Sequence, residues 1–381
     1  MTICVVCDVL GKENNGTTIA AMNLIRSLKK RGHAVRVVCP DIDRIGQEGF
    51  YVVRPMNLGP LNGYVQKNGV CISRADSVIL NRAMEGVDHV HILLPFPLGR
   101  KALKIAKQKG LSVTASFHCQ AENLTSHLFL KDSAIASKAV YRNFYKHFYC
   151  DVDAVHFPSE FIRETFEQAV GKTTNAYVIS NGVGASFVPQ KVSRPKQFEG
   201  EQILLFTGRY SKEKSHSVLL EAAAKSRHAD TLQLILAGDG PLKETLKQAA
   251  RKLPCPPIFR FFSHEELLRV INFSDLYVHP AEIEIEAIAC LEAIACGLVP
   301  VISDSPRSAT RYFALDEKNL FRCNDSQDLA DKIDYWLDHP EEKAQRSQAY
   351  LGYTKQFEFE HCMDRMEEMI LKTHQSVCGK L

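Results

Sequence analysis

Two glutamates with seven residues between them, Glu284 and Glu292, stand in a segment that is otherwise nearly all apolar, Glu282 to Gly297. Glu292 is flanked by Ala289, Cys290, Leu291, Ala293, Ile294 and Ala295, so it belongs to a helix with little polar surface. A carboxylate buried there without a partner either destabilises the fold or shifts its pKa until it is neutral. Vicinal hydroxyls, such as those of a ribose, would satisfy it with two hydrogen bonds. A second charged set, Phe206-Thr-Gly208-Arg209-Tyr-Ser-Lys-Glu-Lys214, falls between a β-rich run and a helical stretch. There Arg209 and Lys214 could clamp a diphosphate, whose charge suits cations and helix N-termini. Singly, each glutamate also reads as a satisfied helix residue and each cation as solvated surface. Neither explanation accounts for the order of the two sets.

Such groups converge only if elements carry them to one edge. Ile3–Cys7 is a short apolar run, as in a strand buried on both faces. A polar loop from Gly11 to Gly16 follows, then helical spacing at Ala21, Leu24, Ile25 and Leu28, closed by Lys29, Lys30, Arg31 and Gly32. Val35–Cys39 resumes as a strand, completing a βαβ unit. Further strands are expected at 90–94, 112–117, 154–157 and 176–179, and a second cycle at 203–207, 232–237, 258–262, 276–279 and 299–302. Helices are expected at 217–225, 241–252 and 286–295. In open parallel sheets ligands bind at the carboxyl ends of the strands, where all four charged groups fall.

The alternation predicts an α/β protein of two Rossmann-like domains facing across a cleft. The boundaries expected are 1–187 for an N-terminal domain, 188–202 for a polar linker, and 203–355 for a second domain that carries both charged sets. A final helix, 356–381, is apolar along Cys362, Met366, Met369 and Ile370, and could pack back on the first domain.

Composition fits a soluble globular chain: 45% hydrophobic and 24% charged over 381 residues. Up to Lys191 there are 23 basic against 15 acidic residues, and after it 24 against 29. A basic first half suits an anionic membrane surface, or is drift between two unrelated surfaces. The 12 cysteines are scattered, and Cys4 and Cys7 lie in a strand, so reduced thiols in a reducing, cytoplasmic setting are expected. The chain opens without a secretory leader pattern and holds no run long enough to span a bilayer, so membrane contact is expected to be peripheral.

The Glu-x7-Glu pattern ending in Glu-Ala-Ile-Ala-Cys-Gly297, with the Gly208-Arg209…Glu213-Lys214 segment, resembles the donor site of family 4 retaining glycosyltransferases of the GT-B fold. Ser180-Asn-Gly-Val183, Ala237-Gly-Asp-Gly-Pro241 and Ser274-Asp-Leu-Tyr-Val-His-Pro280 resemble family turns and strands in the same order, so the likeness spans nearly the whole chain. It departs where most members have Phe-Gly and this chain has Glu286-Ala287.

The resemblance implies that Arg209 and Lys214 stabilise the departing diphosphate, Glu284 holds the donor sugar and Glu292 the ribose. It also implies that Gly208 and Gly238 let the nucleotide approach the backbone, while Gly16 and His118 serve phosphate or sugar from the first domain. No nucleophile stands out, so front-face attack with the leaving phosphate accepting the proton is the family expectation. No metal and no cofactor is expected: Asp151-Val-Asp153 and Asp41-Ile-Asp43 read as loop carboxylates.

Within the family, Phe117–Thr125 and Ser305–Arg311 resemble bacterial enzymes that glucosylate diacylglycerol. The partners expected are therefore a UDP-hexose donor, a lipid acceptor and an anionic membrane surface, with no nucleic acid. The helix 138–149 carries Tyr141, Phe144, Tyr145 and Phe148 on one side with Lys138, Arg142, Lys146 and His147 beside it. Its aromatic face suits either a lipid interface or the core. A soluble or polysaccharide acceptor, a nucleotide-sugar epimerase and a non-catalytic sugar-nucleotide-binding protein remain alternatives.

Overall fold

The structure is a computed structural model describing residues 1–8, 10, 16–57, 59, 72–126 and 133–379. Most of the loop expected between Gly11 and Gly16 lies outside the described residues. The chain divides into two units, Met1–Asn181 with Cys362–Leu381, and Gly182–His361.

In the first unit the elements are β1 (Thr2–Val6), α1 (Gly16–Lys30), β2 (Ala34–Cys39), β3 (Phe50–Val52), α2 (Ser77–Ala83), β4 (His89–Ile92), α3 (Pro97–Gln108), β5 (Ser112–Ser116), α4 (Ala121–Ser126), α5 (Ala134–His147), β6 (Ala154–Phe157), α6 (Glu160–Val170) and β7 (Ala176–Val178). The strands form one sheet in the order β3-β2-β1-β4-β5-β6-β7, and every pair is parallel. Helix starts follow side-chain capping: Asp76, Ser133 and Ser159 each accept from a first-turn amide. Gly171, left-handed at φ 70°, ends α6.

The core of this sheet carries an unusual polar seam. His156 Nε2 lies 2.6 Å from the Ile179 carbonyl, which can only accept, so Nε2 carries the proton. His156 Nδ1 must then accept from Ser116 Oγ, which accepts from His91 Nε2. The same logic runs through Thr114 and His89 to Ser112, so one carbonyl fixes three buried tautomers. Burial holds the His156 ring down at about 4 and His89 at about 3, keeping the seam uncharged at neutral pH.

The second unit contains β8 (Gln202–Thr207), α7 (His216–Lys225), β9 (Leu232–Ala237), α8 (Lys243–Ala249), β10 (Ile258–Arg260), α9 (His264–Phe273), β11 (Leu276–His279), α10 (Ile288–Ala295), β12 (Pro300–Ser303), β13 (Leu320–Phe321), α11 (Ser326–Asp338) and α12 (Pro340–Tyr353). Its parallel sheet has the order β10-β9-β8-β11-β12-β13. A capping box of Ser263 and Glu266 starts α9. Leu204, Leu234, Val278, Leu291 and Trp336, all fully buried, lie in its core. The last helix, α13 (Phe359–Cys378), buries Cys362, Met366, Met369 and Ile370. Within the first unit it holds Arg31 through Asp364 at 2.6 Å and His33 through Glu367 at 2.7 Å.

One sequence expectation changes, and one left open is decided. The helix expected from Glu286 starts at Ile288, because Ala287 takes a left-handed conformation, φ 62°. The aromatic side of α5 is core: Tyr141, Phe144 and Phe148 are buried, with Tyr141 5.9 Å and edge-on to Phe166. Its outer face keeps Ile135, Lys138, Arg142, Lys146 and His147 in solvent.

Candidate active site

Because β8 lies between β9 and β11, the loops after these three parallel strands emerge side by side at one edge. The first loop holds Gly208, Arg209 and Lys214, the second Gly238, and the third Glu284 before α10 with Glu292. Main-chain bonds fasten them together. Gly208 N donates to Ala237 O at 2.9 Å, Tyr210 N to Asp239 O at 3.0 Å, and Glu282 N to Glu213 O at 2.8 Å. A Cβ at Gly238 would stand 1.9 Å from the Gly208 carbonyl oxygen, and one at Gly240 2.6 Å from Tyr210 N. Only glycine allows the first two loops this approach.

Lys214 and Glu284 form an ion pair through Nζ and Oε1, with side chains 19% and 12% exposed. The same Oε1 lies 3.1 Å from His279 Nε2. Burial alone would raise the Glu284 carboxyl; Lys214 and His279 together outweigh it and hold it at about 2. Glu284 is fixed in its loop by Ala309 N, which donates to its carbonyl at 2.9 Å. The neighbouring loop also pairs Arg307 with Glu282. Burial lowers the Arg209 guanidinium pKa, against the pull of Glu213, and the group stays charged at neutral pH.

Glu292 differs in kind. It sits in α10 between the buried residues Leu291 and Ala293. Among the described residues no hydrogen bond or ion pair reaches its carboxyl group. Burial raises it to about 8, so it is mostly protonated at pH 7.

Ala287, which stands where the family resemblance places glycine, is one of three described non-glycine residues with positive φ; Ser215, next to Lys214, is another. Both edges of the charged cluster thus carry backbone strain, on the order of 1–2 kcal/mol each. Glu286 is buried.

The structure therefore joins Lys214 to Glu284 and Gly208 to Gly238, with Arg209 and Glu292 on the same sheet edge. Gly16 and His118 belong to the first unit, at the carboxyl ends of β1 and β5, with β4 between those strands. Gly16 is exposed at the start of α1. Burial, with His156 adding to it, lowers His118 to about 3, and the two rings lie edge-on, 5.8 Å apart. Sequence reasoning missed His279, Tyr277 and Thr207, which stand behind Glu284. The available signal was the i, i+2 spacing of Tyr277 and His279, which puts both on one face of β11.

Among the described residues no cluster of three or more His, Cys, Asp or Glu could hold a metal. Asp153 accepts from Val113 N at 2.8 Å and pairs with Lys107 at 2.6 Å, a structural staple.

Residues 14–187 match the family model for Glycosyltransferase Family 4, and residues 189–351 that for Glycosyl transferases group 1. The alpha-monoglucosyldiacylglycerol synthase of Streptococcus pneumoniae is 26% identical over 319 residues, covering 80% of this chain and 71% of that protein. A GDP-mannose-dependent alpha-mannosyltransferase of Mycolicibacterium smegmatis is 27% identical over 316 residues, 80% of this chain and 79% of that protein. Among solved structures, Anabaena HepE in complex with UDP and glucose shares the fold. It has a TM-score of 0.73 at 15% identity, over 98% of this chain and 100% of that one. Two Rossmann-like units with the charged loops at one strand edge, under two family models that together run from residue 14 to residue 351, show that the chain belongs to the family 4 glycosyltransferases of the GT-B fold.

Proposed function

We propose that this glycosyltransferase moves glucose from UDP-glucose to a hydroxyl of membrane diacylglycerol, with retention at the anomeric carbon. The observation that carries the reading is the Lys214–Glu284 pair beside Arg209 and the unpartnered Glu292, all at the carboxyl edge of one sheet. Arg209 and Lys214 meet the charge growing on the leaving diphosphate, the largest electrostatic demand of the step. Glu284 takes the sugar, and Glu292 takes the ribose hydroxyls. The donor reading is supported by HepE, which holds UDP and glucose. The mannosyltransferase relative makes a GDP-sugar the alternative.

The acceptor reading is supported by the diacylglycerol-directed relative and by the outer faces of α3 and α5. Arg100 Nη2 donates to Asn143 Oδ1 at 2.8 Å, joining the two helices. The two helices also carry Lys101, half-buried, and Lys104, Lys138, Arg142 and Lys146, all exposed. Among the described residues none of these five is in an ion pair. Ile135, 85% exposed, adds an apolar tip. Such a face favours peripheral binding at an anionic leaflet on the cytoplasmic side, each cation near the surface contributing about 1 kcal/mol. No described helix is long and apolar enough to cross a membrane.

The test is incubation with UDP-glucose, UDP-galactose or GDP-mannose and vesicles of diacylglycerol in phosphatidylglycerol, with products identified by mass spectrometry. Glucosyl-diacylglycerol from UDP-glucose, with an α-anomeric coupling by NMR, is expected. A glycosylated soluble glycan with diacylglycerol untouched would overturn the lipid reading. Sugar interconversion without release of free nucleotide would indicate an epimerase.

A further inference from the structure

Behind Glu284 runs a line of hydrogen bonds with a single direction. Thr207 ends β8, and Tyr277 and His279 share a face of β11, its parallel neighbour. Thr207 Oγ1 is 3.0 Å from Tyr277 Oη, Tyr277 Oη is 3.2 Å from His279 Nδ1, and His279 Nε2 is 3.1 Å from Glu284 Oε1. The first three residues are buried. An ionised carboxylate only accepts, so His279 Nε2 carries the ring proton and Nδ1 is bare. The bare Nδ1 needs a donor, and Tyr277 Oη stands 3.2 Å from it, nearer than its other acceptor, the Thr207 carbonyl at 3.4 Å; with its proton on Nδ1, the Tyr277 oxygen accepts from Thr207 Oγ1. Burial lowers the His279 pKa, against the opposing pull of Glu284, so the neutral tautomer this chain needs is the form present at neutral pH.

The arrangement also divides the two carboxylate oxygens. Lys214 and His279 both donate to Oε1, and among the described residues no hydrogen bond reaches Oε2.

We propose that Thr207, Tyr277 and His279 are positioning residues: they lock Glu284 as an ionised acceptor whose Oε1 is already engaged, leaving Oε2 to read one hydroxyl of the donor sugar. The inference rests on the reading that Glu284 takes the donor sugar. It predicts that the relay governs recognition of the sugar and the rate of transfer, and leaves the nucleotide's affinity alone.

The test uses the full chain with UDP and with the nucleotide sugar that the wild type turns over. The variants are His279→Leu, which removes the donor, His279→Gln, which restores an N–H near Nε2, and Tyr277→Phe, which removes only the hydroxyl. UDP affinity by calorimetry should stay within about twofold in all three. In His279→Leu, kcat/KM should fall roughly 10- to 100-fold, the range for losing a hydrogen bond to a charged group. The fall should be smaller in Tyr277→Phe, and His279→Gln should recover part of the loss.

Removing the His279 donor raises the Glu284 pKa, so the acidic limb of kcat/KM should move to higher pH. The groups that face Glu284 are Lys214, His279, Tyr277 and Cys290; those facing His279 are Glu284, Lys214 and His216. Only the first two stabilise the Glu284 anion.

Variants that fold as the wild type, keep kcat/KM within twofold and leave the acidic limb in place would overturn the relay. If His279→Leu fails to fold, Tyr277→Phe alone decides by the same readouts. Glu284→Ala separates the two layers. Should it transfer normally, the sugar-holding reading itself has failed; should it be crippled while the relay variants are not, only the relay has.

Discussion

Exchanging Lys214 for methionine is expected to slow sugar transfer roughly 100- to 1,000-fold, the range for deleting one group that stabilises charge in the transition state. The loss has two sources. The ammonium is a cation available to the leaving diphosphate, and it is also one of the two influences that keep Glu284 ionised. Without it the carboxyl keeps only His279, and its pKa climbs from about 2. A carboxyl whose pKa is depressed by folding adds stability above its unfolded value, about 4.3, and that stability is lost as pH falls towards the folded value. The variant should therefore unfold at a higher pH on acidification, and lose about 1–3 kcal/mol at neutral pH from the weakened pair. Single-turnover assays and an acid titration followed by circular dichroism check both parts. Wild-type transfer rates in a folded Lys214→Met protein would remove Lys214 from the chemistry.

Glu292→Gln should do the reverse to stability while still damaging binding. Its carboxyl is raised to about 8 by burial, against about 4.3 unfolded. Between those values the folded state holds a proton that the unfolded chain lacks, so the wild type loses stability as pH rises through this window. The glutamine variant has no such slope. Its advantage should be near zero around pH 4 and reach about 2–4 kcal/mol by pH 8, allowing for the solvent that reaches the partly exposed side chain.

A ribose diol donating two hydrogen bonds favours the ionised carboxylate, so UDP affinity should fall roughly 10- to 100-fold in the variant. In the wild type, binding at pH 7 should release close to one proton, and affinity should improve as pH rises towards 8. Calorimetry in buffers of different ionisation enthalpy reads the proton directly. An affinity independent of pH between 6 and 8, with no proton released, would take Glu292 out of the ribose site.

The parallel strands were legible because burial on both faces writes itself as an unbroken apolar run, as in Ile3–Cys7. The short edge strands β3 and β13 left no such mark: Phe50, Tyr51, Val52 and Leu320 are only partly buried. The start of α10 was misjudged because nothing in the sequence announces that an alanine will take a left-handed conformation. The aromatic side of α5 could not be assigned until its tertiary partner, Phe166, was in place.

At the site, Arg209 with Lys214 and Glu284 with Glu292 were legible, since each pair sits in one loop or one loop and its helix. Pairing between them, Lys214 with Glu284, spans 70 residues and comes only from the adjacency of β8 and β11. The same adjacency places Thr207 against Tyr277, so the support behind Glu284 was invisible to any local pattern.

The most direct test of the central claim is a crystal structure of the chain soaked with UDP-glucose. The account predicts the diphosphate against Arg209 and Lys214, the ribose hydroxyls on Glu292, and a glucose hydroxyl on Oε2 of Glu284. A nucleotide bound elsewhere, or lying in this edge with Glu292 turned away from it, would contradict that assignment.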